Sequence, residues 1–152
     1  MFRFVLLFAV AMGLAGSPAS AASEVAANPN IARVWFLWPS DLAPSYDTGA
    51  TPTIYVNGRP LAVIRGGTAF YRDFPAGTYG LSIDAYGTET GQVETVRLMP
   101  GTQTFLQVQY DRTWEHGYVG GRGMTAFSFF ITPMSAQLAA AYLPTMTNLG
   151  PR

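Results

Sequence analysis

The chain has 152 residues, of which 49% are hydrophobic, 14% aromatic and only 12% charged, and its formal net charge is zero. All nine basic residues are Arg, balanced by nine Asp and Glu, and there is no cysteine. Such a balance excludes the electrostatic footprint of a nucleic-acid- or anionic-membrane-binding protein, and a chain without Cys is not a disulfide scaffold.

In chain order, the first segment reads as a leader rather than as part of the fold. Arg3 supplies a short positive region, Phe4 to Gly16 is almost wholly apolar, and Ala19-Ser20-Ala21 offers the small residues a signal peptidase reads. The apolar run is shorter than the roughly 20 residues needed to span a bilayer. Residues 1–22 are therefore expected to be a cleaved secretory signal, with the mature chain starting at Ala22 or Ser23. No transmembrane anchor is expected to remain, and with no Cys after the cleavage site no lipid anchor on an N-terminal Cys is expected. Cleavage leaves eight Arg against nine acidic residues. The expected location is the periplasm or the exterior, where a Cys-free domain must hold together by packing alone. Residues 23–30 read as a flexible N-terminus.

From Ile31 to Ile131, alternation of period two dominates, punctuated by Gly and Pro. Ala32, Val34, Phe36 and Trp38 share one face of a first strand ended by Pro39, and residues 39–51 form a polar, Pro-containing loop. Ile54 and Val56 lie on the next strand, Ala62 and Ile64 on its partner. Between them stands Asn57-Gly58, the pair best able to take the two positive φ angles of a type I′ hairpin turn. Phe70 and Phe74 mark a fourth strand closed by Pro75 and Gly77, which suit a tight turn. Tyr79, Leu81, Ile83 and Ala85 alternate most cleanly. Val96 and Leu98 lead to a second Pro-Gly turn, Pro100-Gly101. Leu106, Val108 and Tyr110 follow, then a loop over 111–123, and Phe127, Phe129 and Ile131 close the set.

Thr132-Pro133 reads as N-cap and N1 of a helix over 133–143, stopped by Pro144. Met134, Leu138 and Ala141 form its apolar stripe. Residues 144–152 read as a loose tail. The fold class expected is all-β: an antiparallel β-sandwich of about seven or eight strands, immunoglobulin- or prealbumin-like, over 31–143, with a short C-terminal helix.

The stretches "ARVWFLWP", "TPTIYVNGRPLAVIRGGTAFYRDFPAGTYGLSI" and "RLMPGTQTFLQVQYD" resemble the domain of unknown function 2846 family of small bacterial envelope proteins. The similarity covers about residues 31 to 111 and rests on turn chemistry: the Asn-Gly hairpin, the Pro-x-Gly turn before an alternating strand, and the Pro-Gly before a late strand. PEGA-like and prealbumin-like sandwiches share such hairpins. The resemblance implies an envelope β-sandwich and brings no catalytic residues. The chain departs from the lipoprotein members in lacking the lipobox Cys.

Residues able to carry chemistry are few. His116 is the only histidine, too few for a zinc site without Cys, and no nucleophile elbow accompanies it. Gly117, Gly120, Gly121 and Gly123 fit neither a dinucleotide nor a P-loop spacing. Asp73, Asp84, Glu89 and Glu94 fall mostly on polar faces or in turns. No catalytic residue, metal or cofactor is assigned. The aromatic enrichment remains. Trp35, Trp38, Tyr46, Trp114 and Tyr118 are placed at strand ends and loops, where they either fill a disulfide-free core or meet a partner. Tyr46, Trp114 and Tyr118 are the candidate contact residues, because loops carry them. The function this supports is a non-catalytic envelope accessory module that binds a protein. A carbohydrate- or peptidoglycan-binding module is the alternative and a small hydrolase a third.

Overall fold

The computed structural model describes residues 30–43, 51–84, 92–115 and 124–151, with side chains at all of these except 111–115 and 124–127. The chain forms β1 (Ile31–Trp38), a 3₁₀ turn at Ser40–Leu42, β2 (Thr53–Val56), β3 (Arg59–Val63), β4 (Thr68–Pro75) and β5 (Gly77–Ile83). There follow β6 (Glu94–Leu98), β7 (Gln103–Glu115), β8 (Met124–Met134), the helix α1 (Ala136–Tyr142), a second 3₁₀ turn at Leu143–Thr145, and β9 (Thr147–Pro151).

These strands make an all-β sandwich of two sheets, ordered β8-β7-β1-β4-β9 and β3-β2-β5-β6. Both are rich in antiparallel pairs, but β7 runs parallel to β1 and β9 parallel to β4. Parallel neighbours need a crossover connection. For β1 and β7 that crossover includes the whole smaller sheet, which lies on the opposite layer. The inner faces of the two sheets meet in one core built on Phe36, Trp38, Ile54, Phe70, Leu81 and Leu106. Burying side chains of this size stabilises by about 1.5–3 kcal/mol each, which is how a Cys-free domain closes.

Every residue of β1 after Ile31 is buried. Its even positions face the smaller sheet. Its odd positions Trp35 and Leu37 lie in a second cluster with Ala69, Met134 and Ala139, so α1 forms a third layer on the outer face. Trp35 thus lies inside a strand and Trp38 at a strand's end, and both are buried in the core rather than offered to a partner. A central strand covered on both sides reads as a continuous apolar run rather than as alternation.

The helix begins later than its Thr-Pro pair suggests. Thr132 and Pro133 remain in β8, opposite Gln107 and Leu106 of β7. Ser135 is the N-cap, its Oγ accepting from the Leu138 N–H at 3.2 Å. Strand pairing holds the backbone extended through Met134, and Ser135 is the next residue able to cap. Consequently the buried position is Ala139, while Leu138, on the expected stripe, is 45% exposed. The tail is likewise not loose. The Thr147 N–H donates to the Gly67 carbonyl at 2.9 Å, β9 joins the edge of β4, and Leu149 packs on the main core.

Candidate functional site

The turns that shape the framework come first. Asn57 (φ 50°) and Gly58 (φ 75°) are consecutive left-handed residues, as a type I′ turn has, between β2 and β3. The Asn57 Oδ1 accepts from the Gly80 N–H at 2.8 Å and the Gly80 carbonyl accepts from the Asn57 N–H at 2.7 Å, so the turn is clamped to β5. Met99-Pro100-Gly101-Thr102 has Pro at the second position and a positive φ of 70° at Gly101. The Thr102 N–H donates to the Met99 carbonyl at 3.3 Å. That is the pattern of a type II turn, here carrying the chain from one sheet to the other. Pro75 and Gly77 serve differently. They are the last residue of β4 and the first of β5, which lie in different sheets, so the segment is a corner between layers and not a hairpin. The Tyr79 hydroxyl donates to the Pro75 carbonyl at 2.9 Å and fastens it.

The outer face of the larger sheet carries a polar network that the alternation pattern does not reveal. Arg33 lies directly opposite Asp73 in the β1–β4 pair. Its Nε and Nη2 donate to the two carboxylate oxygens at 2.8 and 2.9 Å, and its guanidinium lies 4.0 Å from the Tyr71 ring centroid. Tyr71 in turn packs on Trp35 at 4.9 Å, and the Trp35 indole N–H donates to Gln103 Oε1 at 2.8 Å. Arg33 is 4% exposed, so the fork is largely out of water and supplied with partners. Among the described residues no buried side-chain polar atom lacks a hydrogen bond. This network anchors strands and leaves no group aimed at a ligand. Its one legible signal is an Arg inside an otherwise apolar strand.

Two further polar contacts tie loops to the body. Partial burial tends to raise the Asp84 carboxyl. The hydrogen bonds it accepts from the Thr53 backbone N–H (2.8 Å) and from the Tyr55 and Thr53 side chains outweigh that and hold it below its ordinary value. The Tyr142 hydroxyl donates to Asp41 Oδ2 at 3.0 Å, joining the end of α1 to the Ser40–Leu42 turn. That hydrogen bond, with a smaller contribution from desolvation, raises the phenol.

Of the candidate contact residues, Tyr46 and Tyr118 lie outside the described residues, as do His116 and the glycines at 117, 120 and 121 and 123. Trp114 does not lie in a loop. It sits in β7, opposite Thr125 of β8. The alternation stops at Tyr110 although the strand does not, because a two-stranded extension no longer has to present one face to a sandwich core.

That extension is the most distinctive element of the fold. β7 pairs with β1 only over Gln103 to Gln107, whereas its pairing with β8 continues unbroken to Glu115 and Met124. From 108 to 115, among the described residues, β7 has β8 as its only strand neighbour. At about 3.3 Å per residue the ribbon is roughly 25 Å long. Isolated two-stranded ribbons are marginal. This one is rooted by Val108, Phe129 and Ile131 in the main core, with Trp38 edge-on to Phe129 at 5.4 Å.

Surface concavities offer less. One cleft of about 430 Å³ is lined by Ala76–Thr78 and Arg97–Pro100, another of about 420 Å³ by Val63, Arg65, Thr68 and Leu149. Among the described residues neither lining contains a carboxylate. Among the described residues no group of three or more His, Cys, Asp or Glu is placed to hold a metal ion. No protein-family model, no curated protein and no solved structure matches the chain.

Proposed function

We propose that the chain is a non-catalytic accessory module of the bacterial envelope that binds a protein partner, with the β7–β8 ribbon as its recognition element. The observation that carries this reading is the mismatch of lengths: β7 outruns β1 by the whole of 108–115, and β8 follows it. Val108, Phe129 and Ile131 root the extension in the core, and a rooted ribbon that runs on past the β1 pairing suits surface recognition. Trp114 lies on it, and aromatic residues are enriched at the centres of protein interfaces. Export is supported by Arg3, the apolar run Phe4 to Gly16 and Ala19-Ser20-Ala21. The resemblance of the turn motifs to the domain of unknown function 2846 family supports an envelope setting. Among the described residues no helix is long and apolar enough to cross a membrane.

Site-specific photo-crosslinking in living cells tests the reading. A photoreactive residue at position 114 is expected to give a discrete protein adduct, and one at Tyr55, on the smaller sheet, none. Adducts bearing cell-wall fragments from position 114 would transfer the ribbon to a carbohydrate- or peptidoglycan-binding role. No adduct from 114 would remove the ribbon as the site.

A further inference from the structure

The two sheets end in four edge strands, β3, β6, β8 and β9. Unpaired edges invite further strands, and folded proteins blunt them with charges, proline, bulges or shortness. Three of these edges are blunted. β3 opens with Arg59-Pro60, and its pairing with β2 shifts register between Ile54 and Tyr55. β6 has five residues, two of them Glu94 and Arg97. β9 is equally short, pairs with a register shift and ends in Gly150-Pro151.

β8 has none of these defences over most of its length. Its sequence, MTAFSFFITPM, contains no charged residue, and its eleven positions pair with β7 without a bulge. Its one proline, Pro133, stands next to the end of the strand. Among the described residues no second strand covers it.

We infer that β8 pairs antiparallel with the β8 of a second copy of this chain across a two-fold axis, joining two five-stranded sheets into one. A two-fold contact sets a strand against itself, so a charged strand would bring charges of one sign together within the interface. β8 carries no such penalty, and the mature chain, with eight Arg against nine acidic residues, is close enough to neutral to add little long-range repulsion between copies. Because side chains alternate between faces, pairing in a continuous sheet aligns inner face with inner face. The buried Ile131 then continues into the same apolar strip of the other copy, while the half-buried Phe130 and Thr132 meet their counterparts on the outer face. Pro133, which has no N–H to give, places the axis towards the middle of the strand. The occupant is a second copy rather than a charged peptide, because β8 offers no charge to recognise one.

Sedimentation velocity on the mature chain, from submicromolar to the highest soluble concentration, reads the assembly. A dimer is expected. Phe130→Lys should weaken it about tenfold or more while the melting transition is kept. Because the chain has no Cys, each of Ser128→Cys, Phe129→Cys, Phe130→Cys, Ile131→Cys and Thr132→Cys carries a single thiol, and the residue on the axis faces its own copy. Directly opposed strand residues lie within disulfide reach, so oxidation should link one of these variants into a dimer far faster than Thr95→Cys on β6. The thiol series decides the matter even where Phe130→Lys fails to fold. A monomer at every concentration, a dimer indifferent to Phe130→Lys, or thiols on β8 that link no faster than Thr95→Cys would overturn the inference. None of these outcomes bears on whether position 114 meets a different partner.

Discussion

Asn57 holds Gly80 by both its side chain and its backbone, with an acceptor at 2.8 Å and a donor at 2.7 Å. The hairpin turn therefore fixes the register of β2 against β5 as well as joining β2 to β3. Gly58→Val should destabilise the domain by about 1–3 kcal/mol through φ alone, since a Cβ at Gly58 meets nothing within 4 Å. Asn57→Ala should lose a comparable amount by a different route, the orphaned Gly80 N–H. Urea denaturation checks both, and an unchanged midpoint for either variant contradicts the clamp.

Two Pro-x-Gly and Pro-Gly segments that look alike in sequence should respond differently to alanine. Gly101 has a φ of 70°, so Gly101→Ala should cost about 1 kcal/mol. Gly77 is not in the left-handed region, and its nearest neighbours to a new Cβ are Tyr79 ring atoms at 3.5 Å or more. Gly77→Ala should stay within about 0.5 kcal/mol of the parent. Equal losses by thermal melting would show that the corner at Pro75–Gly77 is under a constraint of another kind.

Arg33 and Asp73 form an asymmetric pair, with 5% and 38% of their side chains exposed. Asp73→Ala leaves a buried guanidinium short of its counter-charge and should cost about 2 kcal/mol, between an exposed pair and a fully buried one. Arg33→Met, close in volume and apolar, should cost less than Asp73→Ala. The reverse order in urea titrations would mean that the packing of Arg33 on Tyr71, not its charge, holds the strands.

Asp84 gives the fold an acid limb. Its carboxyl is held below the ordinary value of 3.8, so the unfolded chain takes up that proton at higher pH than the folded one. Its contribution is complete above pH 3.8 and is lost as pH falls through the lower folded value. Asp84→Asn should flatten the decline of stability in that acid range and leave the slope at neutral pH unaltered. Melting temperatures collected across the range decide it. An unchanged acid limb would assign the decline to other carboxylates.

Trp114→Ala separates recognition from packing. On the proposed reading the melting temperature holds and crosslinked partner is lost. His116→Ala should leave both intact. A marked fall in melting temperature for Trp114→Ala, with partner recovery unchanged among folded molecules, would move Trp114 into the core and leave the ribbon without its anchor. Loss of activity in His116→Ala with the fold preserved would argue for an enzyme.

The sequence made the hairpins and the alternating strands legible because their signals are local. Asn57-Gly58 and Pro100-Gly101 state their backbone angles in their side chains, and Val96, Leu98, Leu106 and Val108 mark an inner face by spacing alone. Partners remote in sequence are not stated that way. Nothing in Thr147–Pro151 says that β4 will accept it in parallel, and a Thr-Pro pair reads as a helix start until β7 is known to hold it extended. The role of Arg33 is not legible locally, because it lies in Asp73, forty positions away. The ribbon is hidden for a related reason: past the β1 pairing, hydrophobic period no longer marks β7 as a strand.

The position of β1 has a consequence for how quickly the molecule reaches its final form. It is the centre of the larger sheet, yet its partner residues on β7 come far later; Trp35 waits for Gln103, 68 positions on. Until then the run ARVWFLW has nothing to cover one side of it. Contacts at such separations slow folding to the millisecond-to-second range, because a long loop must close before any of them forms. Were the chain exported as an extended thread, as proposed, it would emerge with this segment bare.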